Sequence, residues 1–156
     1  MTTHIRLGLE HSDQLAQLHA LAFRSEDAWT ADAFSGLLSQ TSTRAIGVKC
    51  GADLAGFILV QFVRPEAEIL TLGTAPEFQR RGLAQNLVQM AESELQQDGL
   101  EKWLLDVAAD NHPAIAFYQK IGFQEDGRRP GYYNRLAGKP VDAILMSKHV
   151  SRQETK

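Results

Sequence analysis

The stretch Leu72-Gly73-Thr74-Ala75-Pro76-Glu77-Phe78-Gln79-Arg80-Arg81-Gly82-Leu83-Ala84 constrains this chain more than any other. A strand-like run ends, a loop with two arginines and a glycine follows, and a helix begins at once. The first turn of a helix carries backbone N–H groups without intrahelical partners, and the helix dipole adds positive potential there. Such a junction is a ready site for a phosphate or pyrophosphate. Gln79-x-x-Gly82-x-Ala84 supplies a small residue at 82, where main chain would approach an anion, and another at 84, where a larger side chain would block the first turn. Arg80 and Arg81 would add charge-assisted contacts. Taken alone, the pattern reads equally well as a solvated loop with a glycine turn.

Gly73 adds context. A glycine inside a strand marks a bulge or a place where something approaches the backbone closely. An extended ligand pairing with Leu72 and Thr74 would then set its phosphates on the loop. Tight packing against a neighbouring helix is the other reading.

The rest of the chain alternates helices and strands. His4 to Leu9 reads as a short edge strand. Ser12 is expected to cap a helix from Asp13 to Phe23 with Leu15, Leu18, Leu21 and Ala22 on one face. Thr30 is expected to cap a shorter helix holding Phe34, Leu37 and Leu38. Alternating Ile46, Val48 and Cys50, a turn at Gly51-Ala52-Asp53 and the run Leu54 to Phe62 predict a β-hairpin. A third long strand spans Ala67 to Ala75. After Gly82, residues Leu83, Leu87, Ala91 and Leu95 recur every four positions, Val88 widens the stripe, and Asp98-Gly99 ends the helix. Lys102 to Val107 is the next strand. Asn111-His112-Pro113 opens a helix with proline in its first turn, where the missing N–H costs nothing. Ile115, Phe117, Tyr118 and Ile121 follow, and Gly122 closes it. Phe123 begins a late strand, and Val141 to Ser147 forms the last. With no linker or repeat, residues 1–149 read as one domain and 150–156 as a disordered tail.

The formal net charge of −3 argues against a nucleic-acid footprint. The basic spots Arg80-Arg81 and Arg128-Arg129 are large enough for one cofactor only. No run approaches the roughly 20 apolar residues of a membrane span, and no export signal is legible. The single cysteine, Cys50, fits a reducing compartment, so a cytoplasmic protein without membrane or direct nucleic-acid partners is expected. Cys50 stands at a hairpin end with no clear histidine partner and reads as a packing residue, not a nucleophile. His4, His11, His19, His112 and His149 lack metal-ligand spacing, so no metal is expected.

Two residues carry further chemistry. Asp106 lies in an otherwise apolar strand, where a carboxylate is expensive to bury unless paired or used. Tyr118 lies between apolar residues, and its hydroxyl needs a partner. A strand-end aspartate capping a loop and a core tyrosine are the plainer alternatives. Trp29 and Trp103 read first as packing residues. Tyr132 and Tyr133, beside Arg128 and Arg129, read either as a groove lining or as a surface turn.

The order of features from Glu66 to Phe123 resembles the cofactor half of the GNAT acetyltransferase superfamily. Its pyrophosphate motif, Arg/Gln-x-x-Gly-x-Gly/Ala, is met by Gln79, Gly82 and Ala84. Within it the chain resembles the bacterial ribosomal-protein alanine N-acetyltransferases. The matching stretches are Glu68-Ile69-Leu70-Thr71-Leu72, Phe78 to Ala84, Asp110-Asn111-His112-Pro113-Ala114-Ile115-Ala116-Phe117-Tyr118, Gly122-Phe123, Gly131-Tyr132-Tyr133 and Asp142-Ala143-Ile144-Leu145-Met146. The segment Ser25-Glu26-Asp27-Ala28-Trp29-Thr30 is similar to the substrate-side loop of that group.

The resemblance implies an α/β (α+β) fold with a mixed, mostly antiparallel sheet flanked by helices. It implies acetyl transfer from acetyl-CoA to the N-terminal α-amine of a protein, an alanine of a small-subunit ribosomal protein. Leu72 and Thr74, with Gly73 between them, would offer backbone groups to the pantetheine arm. Backbone amides of Arg80, Arg81, Gly82, Leu83, Ala84 and Gln85 would hold the pyrophosphate, and Asn111 would contact the cofactor. Asp106 stands at the family's general-base position and Tyr118 at its general-acid position. The family commonly has glutamate where this chain has the shorter Asp106, so a bridging water or Glu68 is the alternative. Trp29, Glu68, Tyr132 and Tyr133 are the acceptor-side candidates. The rival readings are a GNAT enzyme of a small-molecule amine and a non-catalytic acyl-CoA-binding module.

Overall fold

A computed structural model describes residues 2–151. In chain order it runs β1 (Thr2–Arg6), α1 (Ser12–Ala22), α2 (Ala31–Leu38), β2 (Thr43–Cys50), β3 (Asp53–Val63), β4 (Glu66–Thr74), α3 (Leu83–Gln97), β5 (Lys102–Ala108), α4 (His112–Lys120), β6 (Gln124–Tyr133) and β7 (Val141–His149). The strands form one sheet in the order β1-β2-β3-β4-β5-β7-β6. Every neighbouring pair is antiparallel except β4 and β5, which α3 connects in parallel. This is the mixed, mostly antiparallel sheet the sequence implied.

Helices cover both faces. Leu83, Leu87, Val88, Ala91 and Leu95 of α3 pack with Ile58, Val60, Trp103 and Leu105 in one cluster. Leu15 and Leu18 of α1 and Phe34 of α2 pack with Phe57 and Leu59 in the other. β3 therefore feeds both cores, which is why its sequence is a continuous apolar run and not an alternation. Thr30 caps α2 as expected, its Oγ1 accepting from Ala33 N–H at 3.1 Å. No helix among the described residues is long and apolar enough to cross a membrane.

The start of α1 differs from expectation. Ser12 is the first helical residue, and its hydroxyl donates to Leu9 O at 2.8 Å, so it does not cap the helix. A short 3-10 turn, Leu9–His11, takes the end of the expected first strand. Leu21 lies off the inward stripe and is 68% exposed. His19 occupies the core position instead, at 1% exposure. Its Nδ1 accepts from Trp29 N–H at 3.2 Å, which leaves the proton on Nε2 to donate to Thr71 Oγ1 at 3.0 Å. Phe23 stacks on the ring at 4.0 Å.

Burial pushes the His19 imidazole down to about 4. The unfolded chain binds a proton below pH 6.5, while folded His19 refuses it until about 4. Stability from this residue is therefore complete above pH 6.5 and is lost as pH falls toward 4, by about 3 kcal/mol. Urea midpoints across this window are expected to fall more steeply for the wild type than for His19→Gln. Equal slopes would contradict the assignment.

At the other end, Val150 N–H donates to Glu101 O at 2.9 Å, and Ser151 O accepts from Gln96 Nε2 at 3.1 Å. The remainder of the expected tail, 152–156, lies outside the described residues.

Candidate active site

The parallel pair β4–β5 holds register only from Glu66 opposite Lys102 to Ile69 opposite Leu105. Beyond it β5 continues along β7 to Ala108, while β4 continues along β3 to Thr74, and a gap opens between them. A bulge starts the divergence. Leu59 faces Thr71 and Val60 faces Ile69, so Leu70 is an extra residue on β4, and such an insertion bends and twists its strand.

Ala75 N–H donates to Ala55 O at 2.8 Å. The alternation of an antiparallel ladder then turns the main-chain groups of Gly73 toward β3 and those of Leu72 and Thr74 toward the gap. Thr74 O already accepts from Gln79 Nε2 at 3.3 Å, which ties the loop to the strand end. Of the readings open for Gly73, the bulge falls at Leu70 instead, and close packing is met. A Cβ on Gly73 would meet Phe57 at 2.9 Å and Phe23 at 3.1 Å, so aromatic packing on the α1 face demands the glycine there.

Arg80 at φ 65° and Gly82 at φ 75° turn the chain into α3. A Cβ at Gly82 would meet no atom within 4 Å, so the left-handed backbone, not crowding, requires glycine. No side chain caps this helix. The first intrahelical donor is Asn86, whose N–H reaches Gly82 O at 3.1 Å, and the amides of Leu83, Ala84 and Gln85 precede it. Arg80 and Arg81 are exposed, with Arg81 set 5.3 Å from the Phe78 ring centroid. The Leu83 side chain is buried in the core, so its N–H is what it offers to a ligand.

Beside the gap, on β4 next to β5, Glu68 feels the charge of Asp106. Burial raises the Glu68 carboxyl above the usual carboxylate range, the Asp106 charge raises it further, and Arg129 partly offsets both. Arg129 Nη1 stands 3.6 Å from Asp106 Oδ2. Tyr133 joins this group: burial pushes its phenol up to about 12, and Asp106 adds to the shift. Tyr118 is buried, edge-on to Phe117 at 5.3 Å and Phe123 at 5.4 Å. Burial lifts its phenol well above the usual tyrosine value, and Tyr133 adds a smaller push. The sequence candidates Asp106, Glu68, Tyr118 and Tyr133 are thus brought into one electrostatic neighbourhood.

Other candidates serve the frame. Asn111 Oδ1 accepts from Ala114 N–H at 3.3 Å and caps α4, the helix that carries Tyr118. The Trp29 ring stacks near His19 at 5.5 Å and Phe34 at 5.3 Å, pinning the loop before α2. Tyr132 is half exposed, 5.1 Å from the Tyr133 ring, with Arg129 5.5 Å from its own ring. Sequence reasoning missed the role of Arg129 and missed Arg135, which binds Asp110 and Asp27. Asp27 lies 108 residues away in sequence, and no local pattern announces such a pairing.

The profile of the Acetyltransferase (GNAT) family matches residues 12–123. The [ribosomal protein bS18]-alanine N-acetyltransferase of Salmonella typhimurium is 35% identical over 125 residues, covering 79% of this chain and 82% of that protein. The N-alpha-acetyltransferase RimI of Mycobacterium tuberculosis is 30% identical over 139 residues, covering 86% and 84%. The crystal structure of the ribosomal-protein-S18-alanine N-acetyltransferase from Escherichia coli aligns with a TM-score of 0.89 at 27% identity, covering 99% of this chain and 97% of that one. The matched region contains the opened β4 edge, the α3 turn and the helix of Tyr118, and the chain belongs to the GNAT acetyltransferase family.

Proposed function

We propose that this enzyme transfers the acetyl group of acetyl-CoA to the N-terminal α-amine of a protein, with an alanine-first ribosomal protein as acceptor. The observation that carries the reading is 35% identity, over 79% of this chain and 82% of that protein, to an enzyme named for acetylating the alanine of ribosomal protein bS18. A ribosomal acceptor and a lone free cysteine, Cys50, fit work in the cytoplasm.

The residues suit acetyl-CoA. Outward-facing main-chain groups of Leu72 and Thr74 lead toward the uncapped amides of Leu83, Ala84 and Gln85, an extended arm followed by an anion seat. When bound, acetyl-CoA supplies the activated thioester; this chain's residues handle the amine and the protons. A peptide α-amine has a pKa of about 7.7–8.0, so most of it is ammonium at neutral pH. The Glu68–Asp106 pair takes one proton from it, directly or through a water, and frees the nitrogen lone pair. The raised Glu68 carboxyl brings its proton affinity closer to that of the amine, which favours a base.

As the C–N bond forms and the C–S bond breaks, the nitrogen releases its second proton and the sulfur accepts one. Tyr118 keeps its proton across the working pH range and donates a hydrogen bond to the departing sulfur. Its phenol holds that proton more tightly than a thiol at about 8.5, so Tyr118 steadies the departing sulfur through that hydrogen bond, and the proton the sulfur gains is the second one the nitrogen releases.

The test is mass spectrometry of short peptides differing in their first residue, incubated with enzyme and acetyl-CoA. Ala-first peptides are expected to gain one acetyl group at the α-amine. Acetylation of free small amines with none of the peptides would overturn the acceptor assignment.

A further inference from the structure

Arg135 lies just beyond β6, beside Leu136, which is 82% exposed, yet the Arg135 side chain is only 6% exposed. Its Nε and Nη2 each donate to a different oxygen of Asp110 at 2.8 Å, a two-pronged pair. Its Nη1 donates to Asp27 Oδ1 at 3.1 Å and to Asn134 O at 2.8 Å. Arg24 Nη1 adds a bond to Asp110 Oδ2 at 3.0 Å. The Arg135 guanidinium also lies 5.8 Å from the centroid of the Tyr133 ring.

These partners belong to three segments that are far apart in the chain. Asp27 closes the short 3-10 turn Ser25–Asp27, which leads into the loop of Trp29. Asp110 sits between strand β5, which carries Asp106, and Asn111, which caps the helix of Tyr118. Tyr133 ends β6 and feels the charge of Asp106. The β6 edge is irregular here. Arg129 faces Ala143 and Tyr133 faces Val141, so Pro130 to Tyr132 bow out of register. The ladder resumes with Tyr133 opposite Val141, and the Arg135 guanidinium stands beside the Tyr133 ring.

We propose that Arg135 is the positioning residue of the acceptor side, holding the 24–30 loop, the β5–α4 connection and Tyr133 in one arrangement around the incoming amine. The inference rests on the N-terminal acetyltransferase reading. It assigns Arg135 to the acceptor and not to acetyl-CoA, whose expected seat lies along β4 and at the start of α3. Arginine is required because its fork meets both Asp110 oxygens and Asp27 at once; a lysine ammonium is a point donor that engages fewer of them. The bond from Arg135 also holds the Asp110 carboxyl well below the usual range, at about 2, as expected of a tightly made pair.

The experiment measures steady-state kinetics of wild type, Arg135→Ala, Arg135→Lys and Asp27→Asn with an Ala-first peptide and acetyl-CoA. Arg135→Ala is expected to raise the peptide KM by about tenfold to a hundredfold, with the acetyl-CoA KM within about twofold of wild type. Arg135→Lys is expected to recover part of the loss. Asp27→Asn keeps the Asp110 pair, Arg24 included, and weakens only the tie from Arg135 to the 24–30 loop, raising the peptide KM about threefold to tenfold. An unchanged peptide KM in both Arg135→Ala and Asp27→Asn, or an equal rise for both substrates, would overturn the proposal. Should Arg135→Ala lose its folded circular-dichroism spectrum, Asp27→Asn decides alone. A wild type that acetylates no peptide would overturn the underlying reading, and this proposal with it, before any variant is compared.

Discussion

Tyr118→Phe is expected to lower kcat for an Ala-first peptide by about 10²–10⁴-fold while acetyl-CoA binding stays within about twofold. The substitution removes one oxygen from a ring packed against Phe117 and Phe123. Among the described residues that hydroxyl forms no hydrogen bond, so the folded state loses no protein partner with it. Stability should change by no more than about 1 kcal/mol. What disappears is the one proton donor that burial keeps protonated on the helix beside the gap. Stopped-flow or single-turnover measurement separates the chemical step from product release. Turnover equal to wild type would remove Tyr118 from the mechanism and favour a donor water.

The second large effect concerns the carboxylates. Glu68→Gln combined with Asp106→Asn is expected to reduce kcat/KM by about 10²–10⁴-fold at neutral pH. The single variants apportion the role. Asp106 is paired with Arg129 at 3.6 Å, whereas Glu68 is raised by burial first and by Asp106 second. Glu68→Gln should therefore cause the larger single loss. Asp106→Asn removes the negative charge that lifts Glu68, so the acid limb of the kcat/KM profile should move to lower pH. A limb that stays in place in Asp106→Asn, together with full activity in Glu68→Gln, would show that neither carboxylate accepts the proton.

Much of the fold is local and was therefore legible. The four-residue apolar stripe from Leu83 to Leu95, the Thr30 cap, the Gly51-Ala52 turn and the Asn111-His112-Pro113 helix start each act within one or two turns of chain. The Gln79-Gly82-Ala84 spacing likewise pointed to the turn into α3, because the left-handed glycine and the bare helix start belong to the same short segment. What failed was non-local. His19 reads as a polar residue on a helix until Thr71 and Trp29, 52 and 10 residues away, saturate its ring and draw it into the core. For Gly73 the sequence left a close approach to the backbone and tight packing both open, and only the folded positions of Phe57 and Phe23 show the packing. The gap itself depends on β4 and β5 parting after Ile69, a matter of sheet order and a one-residue bulge that no single segment encodes. Arg135 was invisible for the same reason: its partners meet only after three loops converge.

The central claim is that the unpaired edge of β4 and the uncapped start of α3 form one seat for coenzyme A. Isothermal titration of coenzyme A into the wild type and into Gly82→Val tests it directly. Saturable binding of one molecule per chain, weakened about tenfold or more by the branched side chain at the left-handed position, is the predicted result. Absence of saturable heat in the wild type, or equal affinity in the two proteins, would contradict it.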